Sequence, residues 1–293
     1  MEKEWTNEPW DKIVSAFIDD IVIYTENNLQ KHEDAVWRVM AALQYAGLKI
    51  AASKSSIAVT EFKLLGININ TEENTLTMDD RKAQELMEHK TPASLSDIQI
   101  FLAICNYWSR FLIRFREIAY PLSRQLRTKT FEWGEIEQRS FEHIIELIKM
   151  RITITLPDYT KPFHCFTDTA FWACASMLTQ TDNKGTIKII GVASKLFNTT
   201  EARYTRHHKD SLGLAIACKQ WAPFIHSSAE PVSIYTNVEA INYWYRNRQF
   251  SAKFRIASNH LSQFLTNPGM KIQCTRGKHQ LLAYMHSQNT SRG

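Results

Sequence analysis

Two adjacent carboxylates are the first residues in this chain that could do chemistry. Asp19 and Asp20 follow Phe17-Ile18 and lie between short runs rich in β-branched residues. Such runs around a polar tip predict a tight β-hairpin. Like charges held this close repel unless a cation offsets them. Mg²⁺ does so in two-metal phosphoryl transfer, and the alternative interpretation is a solvated Asp-Asp turn.

The elements that position this pair are predicted from local signals. A hairpin over 12–24 carries it, and a helix is expected over 29–46 with Gly47 as its left-handed stop. A second hairpin, 62–70, is expected to pivot near Gly66. This first part of the chain therefore predicts two hairpins around one helix.

Helical periodicity follows from Met78 to Arg127 and again over 135–151. Ser94 and Asp97 form a capping box at the start of one of these helices. Beyond Leu156-Pro157-Asp158 the texture changes to strands, one helix and a further strand. Their expected ranges are 163–167, 173–179, 187–193, 206–224 and 232–236. That order is typical of an α/β domain with a mixed sheet, with a boundary near residue 155.

Composition limits the classes of protein to which this chain can belong. The 293 residues are 44% hydrophobic and 22% charged, with a net charge of +5 that mildly favours a polyanionic partner. No apolar run is long enough to span a bilayer, and the N-terminus has no signal pattern. Scattered cysteines predict reduced thiols in an intracellular protein. They are Cys105, Cys165, Cys174, Cys218 and Cys274.

A series of motifs in order resembles the pol region of Gypsy-type LTR retrotransposons. The motifs are Phe17-Ile-Asp-Asp20, Ala46-Gly-Leu-Lys49, Leu65-Gly66, Phe101-Leu-Ala-Ile-Cys-Asn-Tyr-Trp-Ser-Arg-Phe111, Ile118-Ala-Tyr-Pro-Leu122, Phe131-Glu-Trp133 and Leu156-Pro-Asp-Tyr-Thr-Lys-Pro-Phe163. The resemblance implies an α+β and α/β fold. It would comprise partial reverse-transcriptase palm hairpins (1–77), a helical thumb and connection (78–155), and a ribonuclease H-like mixed-sheet domain (156–293).

The resemblance also implies catalytic and metal-binding carboxylates for Mg²⁺, but with departures. Asp19 and Asp20 match the polymerase motif, while the family takes another Asp from upstream palm residues, so we expect no polymerisation by this chain alone. Asp168 matches the first ribonuclease H carboxylate. Asp210 replaces a Glu, and Asn237 and Tyr284 stand where the family has carboxylates. We therefore expect a broken ribonuclease site, because Mg²⁺ prefers charged oxygen ligands.

Basic residues among aromatics predict nucleic-acid contacts. Arg110, Arg114 and Arg116 are expected on one thumb helix, where the aromatics could equally be core. The predicted nucleic-acid-binding set is Lys49, Arg110, Arg114, Arg116, Arg246 and Arg248. Arginines along the phosphate backbone suit an A-form RNA–DNA hybrid, which is recognised by shape. His207-His208 is not predicted to bind a metal, since adjacent helical residues point about 100° apart.

Three functional hypotheses follow. The chain is a reverse transcriptase and ribonuclease H part without activity of its own, or a domesticated module that binds an RNA–DNA hybrid or another nucleic acid. Alternatively, it is an active polymerase or ribonuclease subunit completed by a partner. No membrane partner is expected, and the expected location is the cytoplasm or the nucleus.

Overall fold

The computed structural model describes residues 9–236 and the backbone of residues 270–274. The chain forms two compact units, Met1–Glu72 and Glu73–Gly293. Among the described residues, no helix is long and apolar enough to cross a membrane.

The described part of the first unit contains two β-hairpins and one α-helix, as the sequence predicts. Each hairpin is antiparallel and turns over two residues, Ile18-Asp19 in the first and Leu65-Gly66 in the second. Its elements are β1 (Val14–Phe17), β2 (Asp20–Ile23), α1 (Leu29–Tyr45), β3 (Glu61–Leu64) and β4 (Ile67–Asn70).

Helix α1 begins and ends where its capping signals lie. The Asn28 side chain accepts a hydrogen bond from the Lys31 backbone N–H at 3.1 Å, which satisfies one free donor of the first turn. Gly47 adopts φ +72° just past the helix end, as predicted for a residue that must be left-handed. Among the described residues of this unit, the buried hydrophobic side chains are Ile13, Ala35 and Val39.

The second unit joins a group of helices to a mixed five-stranded sheet. Its elements are β5 (Thr75–Met78), α2 (Asp80–Met87), α3 (Leu95–Tyr107), α4 (Phe115–Ile118), α5 (Tyr120–Thr128), α6 (Glu135–Lys149), β6 (Ile154–Thr155), β7 (His164–Thr169), β8 (Ala173–Thr181), β9 (Ile187–Leu196), α7 (Arg206–Gln220), α8 (Ala222–Ser227), β10 (Val232–Thr236) and β11 (Met270–Cys274). The sheet order is β11-β10-β7-β8-β9. Strands β7, β8 and β9 are antiparallel, while β10 is parallel to β7 and β11 to β10. The predicted mixed α/β sheet is confirmed.

The serine half of the predicted capping box is present at the start of α3. Ser94 Oγ accepts from the Asp97 N–H at 3.1 Å, and an Asp97 carboxylate oxygen accepts from the Ala93 N–H at 3.0 Å, one residue before the cap. The first bond satisfies a donor that the helix itself leaves unpaired. The start of α3 is therefore fixed by local side-chain chemistry.

The prediction that three arginines share one thumb helix is wrong. Helix α3 ends at Tyr107, after which Arg110 lies in a 3₁₀ turn, Arg114 is left-handed with φ +59°, and Arg116 lies in α4. The Ser109 hydroxyl donates to the Asn106 carbonyl at 2.7 Å, and such local bonds compete with helix continuation. A left-handed residue cannot continue a right-handed helix.

The sheet is covered on both faces. On one face, Leu178 and Ile190 pack in a buried cluster with Leu214 of α7 and Trp221. Successive strand residues point to opposite faces, so Met177 and Ile189 lie on the other face. There they pack with Val192 and with Ile113, which precedes α4. The segment that links the helices is thus part of the sheet's own core.

The cysteines follow the prediction of reduced core thiols within the described residues. Cys105, Cys165, Cys174 and Cys218 are free and buried. Burial raises the pKa of Cys105 to about 12 and is also the main reason that the pKa of Cys174 reaches about 12. The Cys274 side chain lies outside the described part.

Candidate functional site

Asp19 and Asp20 lie at the tip of the β1–β2 hairpin, where the sequence predicts them. Phe17 pairs with Asp20 across the hairpin, and both aspartates are exposed. Ile18, between Phe17 and Asp19, has φ +54° and is 85% exposed. A β-branched residue rarely adopts this conformation. The hairpin therefore presents two carboxylates to solvent on a turn with an unusual backbone.

The second carboxylate pair lies where β7 meets α7. Asp168 is near the end of β7, and its carboxylate accepts from the Thr169 N–H at 2.9 Å. Asp210 lies in α7, which approaches β7 closely because Gly213 has no side chain: a Cβ there would be 2.5 Å from Thr169 Oγ1. Burial raises the pKa of Asp210, Arg206 opposes the rise, and the charge of Asp168 adds to it. The two carboxylates are therefore electrostatically coupled.

Each of these carboxylates already has an arginine partner. Arg206 Nε lies 3.0 Å from one Asp210 oxygen and 3.1 Å from the other. Arg114 Nη2 lies 3.5 Å from Asp168 Oδ2. Two nitrogens of Arg114 also donate to the Glu117 carboxylate at 2.7 Å each. Although burial acts to lower the pKa of Arg114, its bonds to Glu117 and the charges of Glu117 and Asp168 raise it.

Comparison with known proteins places this site in a family. Residues 1–69 match the family model described as reverse transcriptase (RNA-dependent DNA polymerase). Residues 133–234 match that of an RNase H-like domain found in reverse transcriptase. The retrovirus-related Pol polyproteins from the Drosophila melanogaster transposons opus and gypsy are 25% and 21% identical over 83% and 86% of this chain. The Pol polyproteins of these LTR retrotransposons are therefore homologues of this chain.

This chain spans about a quarter of the length of those two curated relatives. The Tf2-3 transposon polyprotein of Schizosaccharomyces pombe is 22% identical over 76% of the chain and 17% of its own length. Solved structures share the fold. The foamy viral protease-reverse transcriptase in complex with dsDNA is 20% identical, with a TM-score of 0.69 over 90% of this chain and 54% of its own. The same viral protein in complex with RNA/DNA hybrid gives a TM-score of 0.68 at 20% identity, over 90% of this chain and 35% of its own.

The carboxylates Asp168 and Asp210 already have cationic partners. Reverse transcriptase and ribonuclease H families generally use divalent metals, which need several charged oxygen ligands. Here Asp168 and Asp210 are each paired with an arginine, and no group of three His, Cys, Asp or Glu side chains that could hold a metal ion occurs among the described residues. Asn237 and Tyr284, which the resemblance places at the remaining ligand positions, lie outside the described part, so the loss of the metal site stays a prediction.

The predicted nucleic-acid-binding residues fall into three groups. Lys49 and Arg110 are exposed. Arg114 is bound to Glu117, and the Arg116 guanidinium donates to the Asn106 side chain, while burial lowers the Arg116 pKa. Arg246 and Arg248 lie outside the described residues. Contact with nucleic acid stays a prediction for all of them.

Two features beside the acidic site were not predicted. The buried Lys209 ammonium donates to the Phe171 carbonyl at 3.0 Å and lies 3.9 Å from the centre of the Phe171 ring. Trp172 stacks on Tyr120 with ring centres 4.6 Å apart. This stack lines an open cavity of about 340 Å³ together with side chains of α6. Among the contacts around the acidic site, only the Arg206–Asp210 pair has a local sequence signal, because its two residues are four apart on a helix.

Proposed function

We propose that this chain binds a nucleic-acid duplex, in the first instance an RNA–DNA hybrid, without cleaving it. The observation that carries the proposal is the arginine pairing of Asp168 and Asp210. A carboxylate that already binds a guanidinium is a poor ligand for Mg²⁺, because the ion would have to displace that partner. Loss of metal binding removes the chemistry and leaves the duplex-binding scaffold.

Binding would rest on charge and shape. The chain carries a net charge of +5, and a polyanion gains affinity from each phosphate that a cation neutralises. Arg110 and Lys49 are the exposed members of the predicted set. The similar foamy viral protein has been captured with both dsDNA and RNA/DNA hybrid, which supports the choice of a duplex as ligand.

The test is hybrid binding and hybrid cleavage measured in parallel on the purified chain. Fluorescence anisotropy of a labelled hybrid at several salt concentrations should show salt-sensitive binding, and gels with Mg²⁺ or Mn²⁺ should show intact RNA. Arg110→Gln should weaken binding and lower the salt slope by about 1. Lys149→Gln is the matched control, because Lys149 is already paired with Glu146. Metal-dependent cleavage that Asp168→Asn abolishes would refute the proposal.

A second candidate is a polymerase subunit completed by a partner. The observation that favours it is the β1–β2 hairpin, which keeps Asp19 and Asp20 exposed on an unusual turn at Ile18. Primer extension by the purified chain mixed with the upstream reverse transcriptase segment of a similar Pol polyprotein tests this candidate. Extension that an Asp19→Asn, Asp20→Asn double variant abolishes would favour it over the non-catalytic proposal.

The domain division and the cellular setting belong to the same proposal. We place the palm part at 1–77, the thumb and connection at 78–155, and the ribonuclease H-like domain at 156–293. We place the chain inside the cell, in the cytoplasm or the nucleus. The four buried free cysteines support a reducing compartment.

A further inference from the structure

The contacts of Arg114 cross from one part of the second unit to another. Arg114 lies in the segment 111–118, between α3 and α5, whereas Asp168 lies on β7 of the sheet. Its guanidinium binds Glu117 through two hydrogen bonds and reaches Asp168 at 3.5 Å. The side chains of Arg114 and Asp168 are only 21% and 20% exposed. Water therefore screens this pair less than an ion pair on the open surface.

The surroundings fix Arg114 in this position. Ile113 packs against Met177 and Val192, and the Arg116 N–H donates to Ser194 Oγ at 3.1 Å. Arg114 itself is left-handed, a conformation that non-glycine residues keep only where their surroundings impose it. The guanidinium is thus held between packed elements.

We propose that Arg114 is the permanent counter-ion of Asp168. This carboxylate of the ribonuclease H-like site then holds the segment 111–118 against the sheet and does not bind a metal ion. Arg114 is then a positioning residue, with no contact to nucleic acid. This inference rests on the proposed function only in that Asp168 serves no metal-dependent cleavage.

The two possible roles of Asp168 predict opposite changes in stability. In a metal site without its metal, neighbouring carboxylates repel each other, so replacing one by an amide raises stability. In a site already compensated by arginine, the same replacement removes an attractive partner and lowers stability. Asn keeps the oxygen that accepts from the Thr169 N–H, so the change isolates the charge.

The experiment is thermal unfolding of the full chain in a chelator, followed by circular dichroism. We expect Asp168→Asn to lower the melting temperature by about 2–4 °C, the shift of a modest ion pair in a unit of this size. In an Arg114→Gln background, the same replacement should leave the melting temperature unchanged or raise it. Glu146→Gln, which breaks an exposed pair with Lys149, is the control and should have little effect. A rise or no change for Asp168→Asn in the parent chain overturns the inference, even if Arg114→Gln fails to fold.

Thermal unfolding in the presence of a metal ion separates this inference from the proposed function. Millimolar Mn²⁺ should shift the melting temperatures of the parent chain and Asp168→Asn equally. A rise confined to the parent chain would show a metal at Asp168 and overturn the inference. Failure of hybrid binding in the anisotropy assay would instead count against the proposed function alone, because no nucleic acid enters the unfolding experiment.

Discussion

Gly213 lies inside α7, at the point where this helix passes closest to β7. A Cβ added there would be 2.5 Å from Thr169 Oγ1 and 3.1 Å from Cys174 Cβ. The first of these distances is shorter than any stable contact, and Thr169 is buried beside Asp168. Gly213→Ala must therefore move the helix, the strand or the Thr169 side chain.

Two opposing terms set the size of the effect. Replacing glycine by alanine inside a helix stabilises it by about 1 kcal/mol. Overpacking of a well-packed core costs about 1–3 kcal/mol. Because the contact is with a buried strand residue, the packing term should dominate and leave a net loss of up to about 2 kcal/mol. In a unit of this size that corresponds to a fall in melting temperature of up to about 8 °C.

The assay is thermal unfolding of the parent chain, Gly213→Ala and two double variants. Adding Thr169→Ala removes the crowded oxygen and should recover part of the loss. Adding Thr169→Val keeps an atom in its place and should recover none. A melting temperature that rises in Gly213→Ala, as helix propensity alone would give, refutes the close approach of α7 to β7.

Three further predictions concern buried groups. Ser176→Ala leaves the Trp221 indole N–H, which donates to Ser176 Oγ at 2.9 Å, without that partner. It should lower the free energy of unfolding by about 1–3 kcal/mol in urea titrations, and an unchanged midpoint would contradict the buried bond. Cys105 and Cys174 should resist iodoacetamide in the native chain, because burial raises the pKa of each thiol to about 12. Mass spectrometry of the peptides would measure this, and rapid alkylation of the native chain would refute the burial of these thiols. Burial raises the pKa of Asp210, so the folded chain holds this proton more tightly, and the stability from this group falls as pH rises through the raised pKa. Asp210→Asn should remove that part of the fall in melting temperature as the pH rises above the ordinary carboxyl pKa of about 4, whereas a slope equal to the parent's would contradict it.

Local signals predicted most of the elements correctly. A few neighbouring residues determine each of three features: the two-residue turn before Asp20, the stop at Gly47 and the helix cap at Ser94. Strand β10 lies at the predicted residues 232–236. Turn chemistry and helix caps act over about four residues, so they can be recognised in a single sequence.

The contacts around the acidic site could not be predicted in the same way. Apolar periodicity continues past Tyr107, so the sequence indicates one thumb helix, although Ser109 and the left-handed Arg114 end that pattern. The partner of Arg114, Asp168, lies far along the chain, and no local spacing indicates such a pair. For Arg114, tertiary packing decides whether a basic residue faces solvent or a carboxylate.

The packing of Ile113 against the sheet has a consequence for how the chain is made. Ile113 leaves the ribosome well before its partners Met177, Ile189 and Val192 are synthesised. Contacts between residues so distant in sequence form slowly, and apolar segments that stay exposed in the meantime are prone to aggregate. We therefore expect the early helices to expose apolar surface during translation. Expression at lower temperature, with chaperones in excess, should raise the yield of folded chain.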